Sequence, residues 1–288
     1  MLSIIIVTFN SINFIRTCLD SLLKQSHKDI EVVVIDNGSC DGTVNFLKKN
    51  YSQVRLIENQ DNLGVCRARN QGIGLSRGEW VLTLDCDTVL AEDFINEIKI
   101  VIDKIPPEVG ILQPKIMKSD RKRIYSAGIF VSFLRRFYDI GRDRLDGGRF
   151  DKTGYIFGAC SASALYKRQM LEEVSDTYGY FDERFFFLLE DVDLAYRAQK
   201  KGWKALYYPK TVCYHSGNSS LLDNKKRQYL CWRNRKMLLK KLRISTLHLA
   251  VIILIYDLPR ALYLFLTNNY ARAELPGRGH RHDFIQNQ

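Results

Sequence analysis

Several patterns that identify large protein classes are missing from this 288-residue chain. Its seven cysteines form no C-x-x-C pair and have no histidine cluster beside them, which argues against a disulfide framework and favours a reducing cytoplasm. No G-x-G-x-x-G segment follows the first apolar run, so a bound NAD is not expected. No basic segment precedes Leu2–Val7, which we therefore interpret as a first strand and not as a signal peptide.

Net charge is almost absent from the first 218 residues. The whole chain has a net charge of +11, and residues 219–288 supply +9 of it, because they hold 13 Lys and Arg against 4 Asp and Glu. A nearly neutral body argues against a surface that binds nucleic acid. The basic C-terminal segment instead fits anionic lipid headgroups or a polyanionic acceptor.

Long apolar runs are also scarce. The segment Leu230–Thr267 is predicted to be helical, with a basic first part and an apolar second part, Leu247–Tyr256. That apolar part has about half the length of a membrane-spanning helix, and Asp257, Pro259 and Arg260 interrupt it. We expect a helix that lies in the interface of an anionic membrane; a helix packed on the rest of the protein is the alternative.

The first 115 residues alternate short β-branched runs with helical patterns. The predicted strands are Ser3–Thr8, Glu31–Asp36, Val54–Glu58 and Trp80–Asp85. Because these runs are apolar on both faces, we predict an α/β fold with a Rossmann-like, mostly parallel sheet and helices on both faces. Residues 116–150 have a weaker pattern that indicates long loops or a small lid, and order returns over Tyr155–Tyr166.

Polar residues follow three of the predicted strands. They are Thr8-Phe9-Asn10, Asp36-Asn37-Gly38-Ser39 and Asp85-Cys86-Asp87. Ligands of parallel sheets bind at the carboxyl ends of the strands, so these segments should meet at one site. Residues i and i+2 of an extended chain point the same way, which places the carboxylates of Asp85 and Asp87 together. Such oxygen ligands suit Mg²⁺ or Mn²⁺ bound to a nucleotide diphosphate.

Other candidate residues have two interpretations each. Asp36 could accept a hydrogen bond from a base or ribose, whereas Ser39 or Asp41 could cap the next helix. His215 follows a strand predicted over Trp203–Tyr208, and a lone histidine is more often packed or exposed than a ligand.

Glu190 and Asp191 follow a run of three phenylalanines. A carboxylate beside an aromatic wall can have a raised pKa and act as a base. The alternative is that these residues and Asp193 only enrich the first turn of a helix. That helix is predicted to carry an Asp193–Arg197 pair and to end at Gly202.

Five segments, in this order, closely resemble those of family 2 glycosyltransferases. They are Thr8-Phe9-Asn10; Asp36-Asn37-Gly38-Ser39 with Asp41-Gly42-Thr43; Asn62-Leu63-Gly64 with Ala68-Arg69-Asn70-Gln71-Gly72; Asp85-Cys86-Asp87; and Phe181-Asp182-Glu183 through Glu190-Asp191-Val192-Asp193-Leu194. The resemblance covers about residues 1–240 and is closest to the rhamnosyltransferase-like branch that acts on surface polysaccharides. It implies a GT-A fold and inversion at the anomeric carbon.

The resemblance also implies roles for the nucleotide-binding residues. Asp36 would bind the uracil or thymine edge, and Thr8 and Asn10 would line the base and ribose pocket. Arg69 would lie near the nucleotide. Cys86 is counted among the nucleotide-binding residues, although many relatives have Ala, Asn or Ser at this position.

The same resemblance assigns the metal and the acceptor side. Asp85 would hold the ribose or a metal-bound water, Asp87 would ligate Mn²⁺ or Mg²⁺, and His215 would complete the metal shell or touch the diphosphate. Asp191 would be the base. The sugar and acceptor cleft would be lined by Glu190, by Gly158-Ala159-Cys160 and by Trp232, the first residue of a Trp232-Arg233-Asn234-Arg235 motif.

We therefore expect a cytoplasmic, inverting glycosyltransferase on the inner face of the cell membrane. It would move a sugar from a UDP- or dTDP-sugar to a hydroxyl of a glycan or lipid-linked acceptor. Residues 1–115 would form the nucleotide-binding half, 116–229 the acceptor-binding and catalytic half, and 230–288 a helical tail. A non-catalytic nucleotide-sugar-binding subunit is one alternative. A sugar nucleotidyltransferase is another, although it would need a Gly-rich basic loop where this chain has Thr8-Phe9-Asn10-Ser11.

Overall fold

Strands and helices alternate along the first part of the chain in the computed structural model, which describes residues 1–26, 29–217 and 222–273. In order, these elements are β1 (Leu2–Thr8), α1 (Ile15–Leu23), β2 (Ile30–Asp36), α2 (Thr43–Asn50), β3 (Arg55–Glu58), α3 (Val65–Leu75) and β4 (Trp80–Asp85). The four predicted strands are therefore confirmed.

The second part of the chain adds the other eight strands of the described residues. Its elements are β5 (Thr88–Leu90), α4 (Phe94–Ile102), β6 (Val109–Lys118), β7 (Ile124–Ser126), β8 (Ile129–Val131), β9 (Phe137–Asp139), β10 (Gly154–Ile156), β11 (Ser163–Lys167), α5 (Arg168–Val174), α6 (Glu190–Lys200) and β12 (Lys204–His215). The region predicted as loops or a lid holds β7 and a separate β8–β9 hairpin. In α6, Arg197 pairs with Asp193 at 2.8 Å as predicted.

Ten strands of the described residues form one mixed sheet in the order β10-β12-β6-β11-β4-β1-β2-β3, with β5 paired to β12 and β7 to β6. The strands β4, β1, β2 and β3 are parallel, and β11 runs antiparallel between β4 and β6. The register places Thr8 opposite Asp36 and Val7 opposite Asp85. The carboxyl ends of three strands therefore meet at one edge, as the sequence predicted.

Both faces of the sheet are covered by helices. On β1, Ile4 and Ile6 point into the core that contains α1, whereas Ile5 points into the core that contains α3. All three side chains are at most 1% exposed, because successive residues of a strand point to opposite faces. This two-sided burial explains the apolar runs of the sequence and confirms the predicted α/β class.

The C-terminal part is helical. Its elements are α7 (Asn224–Lys241), α8 (Thr246–Ile252), a π-helical turn (Ile253–Asp257), α9 (Leu258–Thr267) and α10 (Asn269–Ala273). One helix therefore runs from Thr246 to Thr267, and its 22 residues are long and apolar enough to cross a membrane. The helix continues through Asp257, Pro259 and Arg260, which the sequence indicated as an interruption, and a π-helical turn ends two residues before Pro259, which has no backbone N–H to donate. Residues 274–288 of the predicted tail lie outside the described residues.

The predicted division of the chain differs from the element boundaries. The division at 115/116 falls inside β6, and the division at 229/230 falls inside α7. Because β6 belongs to the same sheet as β1–β4, the two predicted halves share one sheet.

Candidate active site

Three potential metal ligands meet where β4 and β12 end. Asp85 is the last residue of β4, Asp87 lies two residues later, and His215 is the last residue of β12. The Nε2 atom of His215 lies 3.0 Å from Oδ1 of Asp87 and 3.6 Å from Oδ2 of Asp85. One ligand atom from each residue lies within 4.8 Å of the other two. Two carboxylates and one imidazole are a donor set that fits Mn²⁺ or Mg²⁺.

Burial and neighbouring charges shift the pKa values of this cluster. Burial raises the pKa of Asp85, and the positive charges of Arg69 and His215 oppose that rise. Burial alone would lower the pKa of His215, but the hydrogen bond and charge of Asp87 raise it above its usual value. The predicted ligand set is therefore brought together by the fold, in a place where a cation would compensate two nearby carboxylates.

A first cavity, which we name the β1–β2 cavity, adjoins the metal ligands. Its lining includes Val7, Phe9, Ser11, Asn37, Asn62, Gly64, Asp85, Cys86, Phe186 and His215. Cys86 lies where the sequence placed it, and its thiol donates a hydrogen bond to the Ser11 hydroxyl at 3.1 Å. An aromatic and apolar wall with a few amide groups is suited to a nucleoside.

Thr8, Asn10 and Asp36 do not line this cavity. Thr8 is 1% exposed, because it points to the opposite face from Val7. The side-chain oxygen of Asn10 accepts a hydrogen bond from the Cys40 N–H at 2.8 Å. Asp36 accepts hydrogen bonds from the N–H and hydroxyl groups of Ser39 at 2.9 and 2.6 Å. Asn10 and Asp36 therefore bind groups of the loop after β2. The contacts of Thr8, Asn10 and Asp36 with the base and ribose stay a prediction.

Asn37, the residue after Asp36, lines the β1–β2 cavity. Its amide nitrogen donates to Oδ1 of Asn62 at 2.9 Å, and its oxygen accepts from the Leu63 N–H at 3.2 Å. Gly64 follows with a φ of +83°, and a Cβ there would lie 2.5 Å from the ring of Phe186. The Asn62-Leu63-Gly64 motif was visible in the sequence, but its contact with Phe186 was not.

Arg69 is buried behind the site and bonds to protein groups. Its guanidinium lies 3.0 Å from Oδ1 of Asp85, 2.8 Å from Oε1 of Glu190 and 2.8 Å from the Ser161 hydroxyl. Burial would lower its pKa, but the charges of Asp85 and Glu190 raise it. Arg69 therefore connects the metal ligands to the start of α6, and its predicted position near the nucleotide stays a prediction.

A second cavity, the α6 cavity, lies on the other side of Asp85. Its lining includes Asp85, Tyr125, Asp139, Cys160, Ser161, Phe187, Glu190, Asp191, Arg227 and Cys231. Four of these residues also line the β1–β2 cavity: Asp85, Tyr125, Phe187 and Arg227. The two cavities therefore adjoin at the metal ligands.

Asp191 has the electrostatic properties of a base in this cavity. Burial, followed by the negative charges of Glu190 and Asp139, raises its pKa to about 8. Its carboxylate accepts hydrogen bonds from the N–H groups of Val192 at 2.8 Å and Ser161 at 3.4 Å. Within the described residues, Oε2 of Glu190 is buried without a hydrogen-bond partner. Asp193, in the same helical turn, instead pairs with Arg197 and Lys241. The role of Asp191 as the base stays a prediction.

The predicted cleft residues Gly158, Ala159 and Trp232 do not line the α6 cavity. A Cβ at Gly158 would lie 2.4 Å from Cβ of Ala195, so this glycine permits α6 to approach closely. Ala159 is 1% exposed and belongs to the core. Of the predicted segment Gly158-Ala159-Cys160, only Cys160 lines the cavity, together with its neighbours Ser161 and Ala162, and Cys231 lines it next to Trp232.

Comparison with known proteins gives the family. The model of the family described as "Glycosyl transferase family 2" matches residues 3–175. The N-acetylglucosaminyl-diphospho-decaprenol L-rhamnosyltransferase of Mycobacterium tuberculosis is 28% identical over 250 residues, which cover 77% of this chain and 78% of the relative. A PGL/p-HBAD biosynthesis glycosyltransferase of Mycobacterium bovis is 34% identical over 196 residues, 66% of each chain.

Solved structures share the fold. Staphylococcus aureus TarS 1-349 superposes with a TM-score of 0.57 at 20% identity, over 93% of this chain and 74% of TarS. The mannosyltransferase PcManGT of Pyrobaculum calidifontis, in complex with GDP-Man and Mn²⁺, gives a TM-score of 0.58 at 20% identity, over 94% and 71%. The predicted GT-A fold and the resemblance to rhamnosyltransferases are thus confirmed. The chain belongs to glycosyltransferase family 2 and is a glycosyltransferase.

Proposed function

We propose that this enzyme inverts the anomeric carbon as it moves a sugar from a UDP- or dTDP-linked donor to a hydroxyl of a glycan or lipid-linked acceptor. The main support is that Asp191, whose pKa is raised to about 8, shares a cavity with Asp85 of the metal-ligand cluster. The α6 cavity continues into the β1–β2 cavity, which fits a nucleoside. Related folds have been solved with UDP, UDP-GlcNAc or GDP-Man, which supports a nucleotide-sugar donor.

The proposed reaction is a direct displacement. The carboxylate of Asp191 takes the proton of the acceptor hydroxyl, and the hydroxyl oxygen forms a bond to the anomeric carbon. The bond from that carbon to the phosphate oxygen breaks, and the nucleoside diphosphate leaves with the bonding electrons. Attack opposite the leaving group inverts the configuration. Asp85, Asp87 and His215 would hold Mn²⁺ or Mg²⁺, whose charge stabilises the diphosphate.

Substitution of Asp191 by asparagine tests this mechanism. Asn cannot accept the proton, so Asp191→Asn should lose at least about 100-fold in transfer rate and keep nucleotide affinity within about threefold. The assay is release of UDP or dTDP from a panel of nucleotide sugars with Mn²⁺, with binding followed by thermal stabilisation. Near-normal turnover of the variant would show that Asp191 is not the base. A wild-type protein that binds nucleotide sugars without hydrolysis or transfer would instead indicate the non-catalytic subunit.

We also propose that the enzyme docks on the inner face of the cell membrane through the helix Thr246–Thr267. One side of this helix packs on the domain: Ile252 and Leu264 are buried, and Asp257 pairs with Arg235 of α7 at 2.6 Å. Its other side is apolar and exposed, with Leu254 at 65% exposure. A helix fastened along the domain in this way favours the membrane interface over a spanning position.

The β8–β9 hairpin extends the same surface. The Nε2 atom of His248, on the helix, lies 2.8 Å from the carbonyl oxygen of Phe133. The rings of His248 and Phe133 stack with their centroids 4.4 Å apart. Phe133 is itself 72% exposed. Because residues of this hairpin also line the α6 cavity, a docked enzyme would receive an acceptor that is bound to the membrane.

A further inference from the structure

We propose that a groove beside the β8–β9 hairpin binds an acidic segment of the acceptor glycan; this inference rests on the proposed transfer function. The groove encloses about 670 Å³, which lies within the usual range for ligand sites. It shares Tyr138, Asp139 and Arg142 with the α6 cavity. A chain whose terminal sugar lies beside Asp191 can therefore continue into this groove, which we name the hairpin groove.

Exposed aromatic rings form part of the hairpin groove. Phe130 is 55% exposed, Tyr138 41% and Tyr155 57%, and all three line it. Phe130 and Tyr138 are directly opposite each other in the hairpin, so their rings lie on the same face. Large rings gathered on a concave surface mark a binding site. Flat aromatic rings offer sugars an apolar face to pack on.

Cations without a compensating charge line the same groove. They are Arg144, Arg149 and Lys152. Their side chains make no hydrogen bond or ion pair with any other residue that the structure describes. The one carboxylate in the groove lining, Asp139, lies 3.5 Å from Arg142, and Asp146 and Asp151 nearby share Lys115. The lining therefore keeps a net positive charge.

Three cationic side chains without a bound partner among the described residues, beside aromatic rings, define the chemistry of the ligand. Arginine and lysine bind carboxylate and phosphate groups by charge-assisted hydrogen bonds. The rings favour a carbohydrate over a simple anion. The groove therefore fits a glycan that carries uronate or phosphate groups, and it would extend acceptor recognition beyond the sugar that is modified.

Binding of defined oligomers tests the hairpin groove without any donor. The probes are a hexagalacturonate, a glycerol-phosphate hexamer and neutral maltohexaose, measured by calorimetry at low salt. We expect one acidic probe to bind more tightly than maltohexaose, and Arg149→Gln/Lys152→Gln to weaken it at least about 10-fold, since two charge-assisted contacts are lost. The matched control, Lys49→Gln/Lys104→Gln, changes the same charge on exposed lysines of α2 and the loop after α4 and should leave affinity unchanged.

Three outcomes would overturn the groove. The first is failure of both acidic probes to bind, and the second is equal weakening by the control pair. The third is that Arg149→Gln/Lys152→Gln weakens binding to phosphatidylglycerol vesicles but not to the oligomers, which would assign the cations to lipid headgroups. Because the measurement contains no nucleotide sugar, it is independent of catalysis. Probe binding in a protein that transfers no sugar would preserve the groove and reject the proposed function.

Discussion

The side-chain amide of Asn234 donates a hydrogen bond of 2.7 Å to the carbonyl oxygen of Phe187. The same nitrogen lies 2.7 Å from the carbonyl of Leu188 and 3.1 Å from that of Phe185. Asn234 belongs to α7 and is fully buried. Leu188 has a φ of +74°, a backbone conformation that costs energy for a residue with a side chain. Helix α7 therefore holds the loop before α6 in a conformation that the loop would not keep alone.

Loss of this amide should reduce catalysis more than nucleotide binding. Asn234→Ala leaves buried carbonyl groups without their donor, at a cost of about 1–3 kcal/mol in the free energy of unfolding. Relaxation of the loop should displace Asp191 and lower kcat about 10-fold or more, with a smaller change in nucleotide Kd. Measurement of kcat, Kd and the melting temperature checks this. Asn96→Ala, at an exposed position of α4, is the control; equal effects of both substitutions on kcat would contradict the role of Asn234.

The strands and the acidic strand ends could be predicted from the sequence, because the alternation of side chains within a strand fixes their direction. This alternation of side-chain direction stops where a strand ends and a loop begins. Asn10 adopts a φ of +49°, and Asp36 folds onto its own turn, so local pattern could not show which side chains face the cavity. The contact of Asn234 with Phe187 joins residues far apart in sequence and depends on how α7 packs.

The metal ligands give a second prediction. His215→Ala should weaken Mn²⁺ binding about 10-fold or more, because it removes one of three clustered ligands, and Asp87→Asn should do the same by removing a charge. Binding is measured directly by titration with Mn²⁺ and by the stabilisation that Mn²⁺ adds in the presence of UDP. Asp93→Asn, an exposed residue before α4, controls for the change of charge. Unchanged Mn²⁺ affinity in both site variants would exclude this cluster as the cation site.

The raised pKa of Asp191 predicts how activity and stability change with pH. The base must be deprotonated, so kcat/KM should rise with pH toward an inflection near 8, well above the ordinary value of 3.8. Because the folded pKa is above the unfolded one, ionisation of Asp191 opposes folding, and its destabilising effect grows as pH rises from about 4 to about 8.

Comparison with Asp191→Asn isolates this effect. The variant cannot ionise there, so its gain in melting temperature over the wild type should be small near pH 4.5 and largest near pH 8. Groups that titrate in both proteins, such as His215, cancel in the difference to first order. A gain that is the same at both pH values would show that the pKa of Asp191 is not raised in the folded protein.

Docking through the helix Thr246–Thr267 predicts binding to anionic vesicles. Leu254 is 65% exposed, and burial of one leucine contributes about 1.5–3 kcal/mol, so Leu254→Ser should weaken binding about 10-fold or more. Ile100→Ser, at a 39% exposed position of α4, is the matched control and should have no effect. Sedimentation with phosphatidylglycerol vesicles measures both variants.

Salt separates an interfacial helix from a spanning one. An interfacial helix next to basic residues is attracted to anionic headgroups, and this attraction weakens as salt shortens the screening length. The enzyme should therefore leave phosphatidylglycerol vesicles as NaCl rises and bind phosphatidylcholine vesicles weakly at any salt concentration. The Asp257–Arg235 pair at 2.6 Å supports this outcome, because insertion across the bilayer would require the helix to separate from α7. Retention of the protein in vesicles after high-salt and alkaline washing would mean that the helix has left α7 and crossed the membrane.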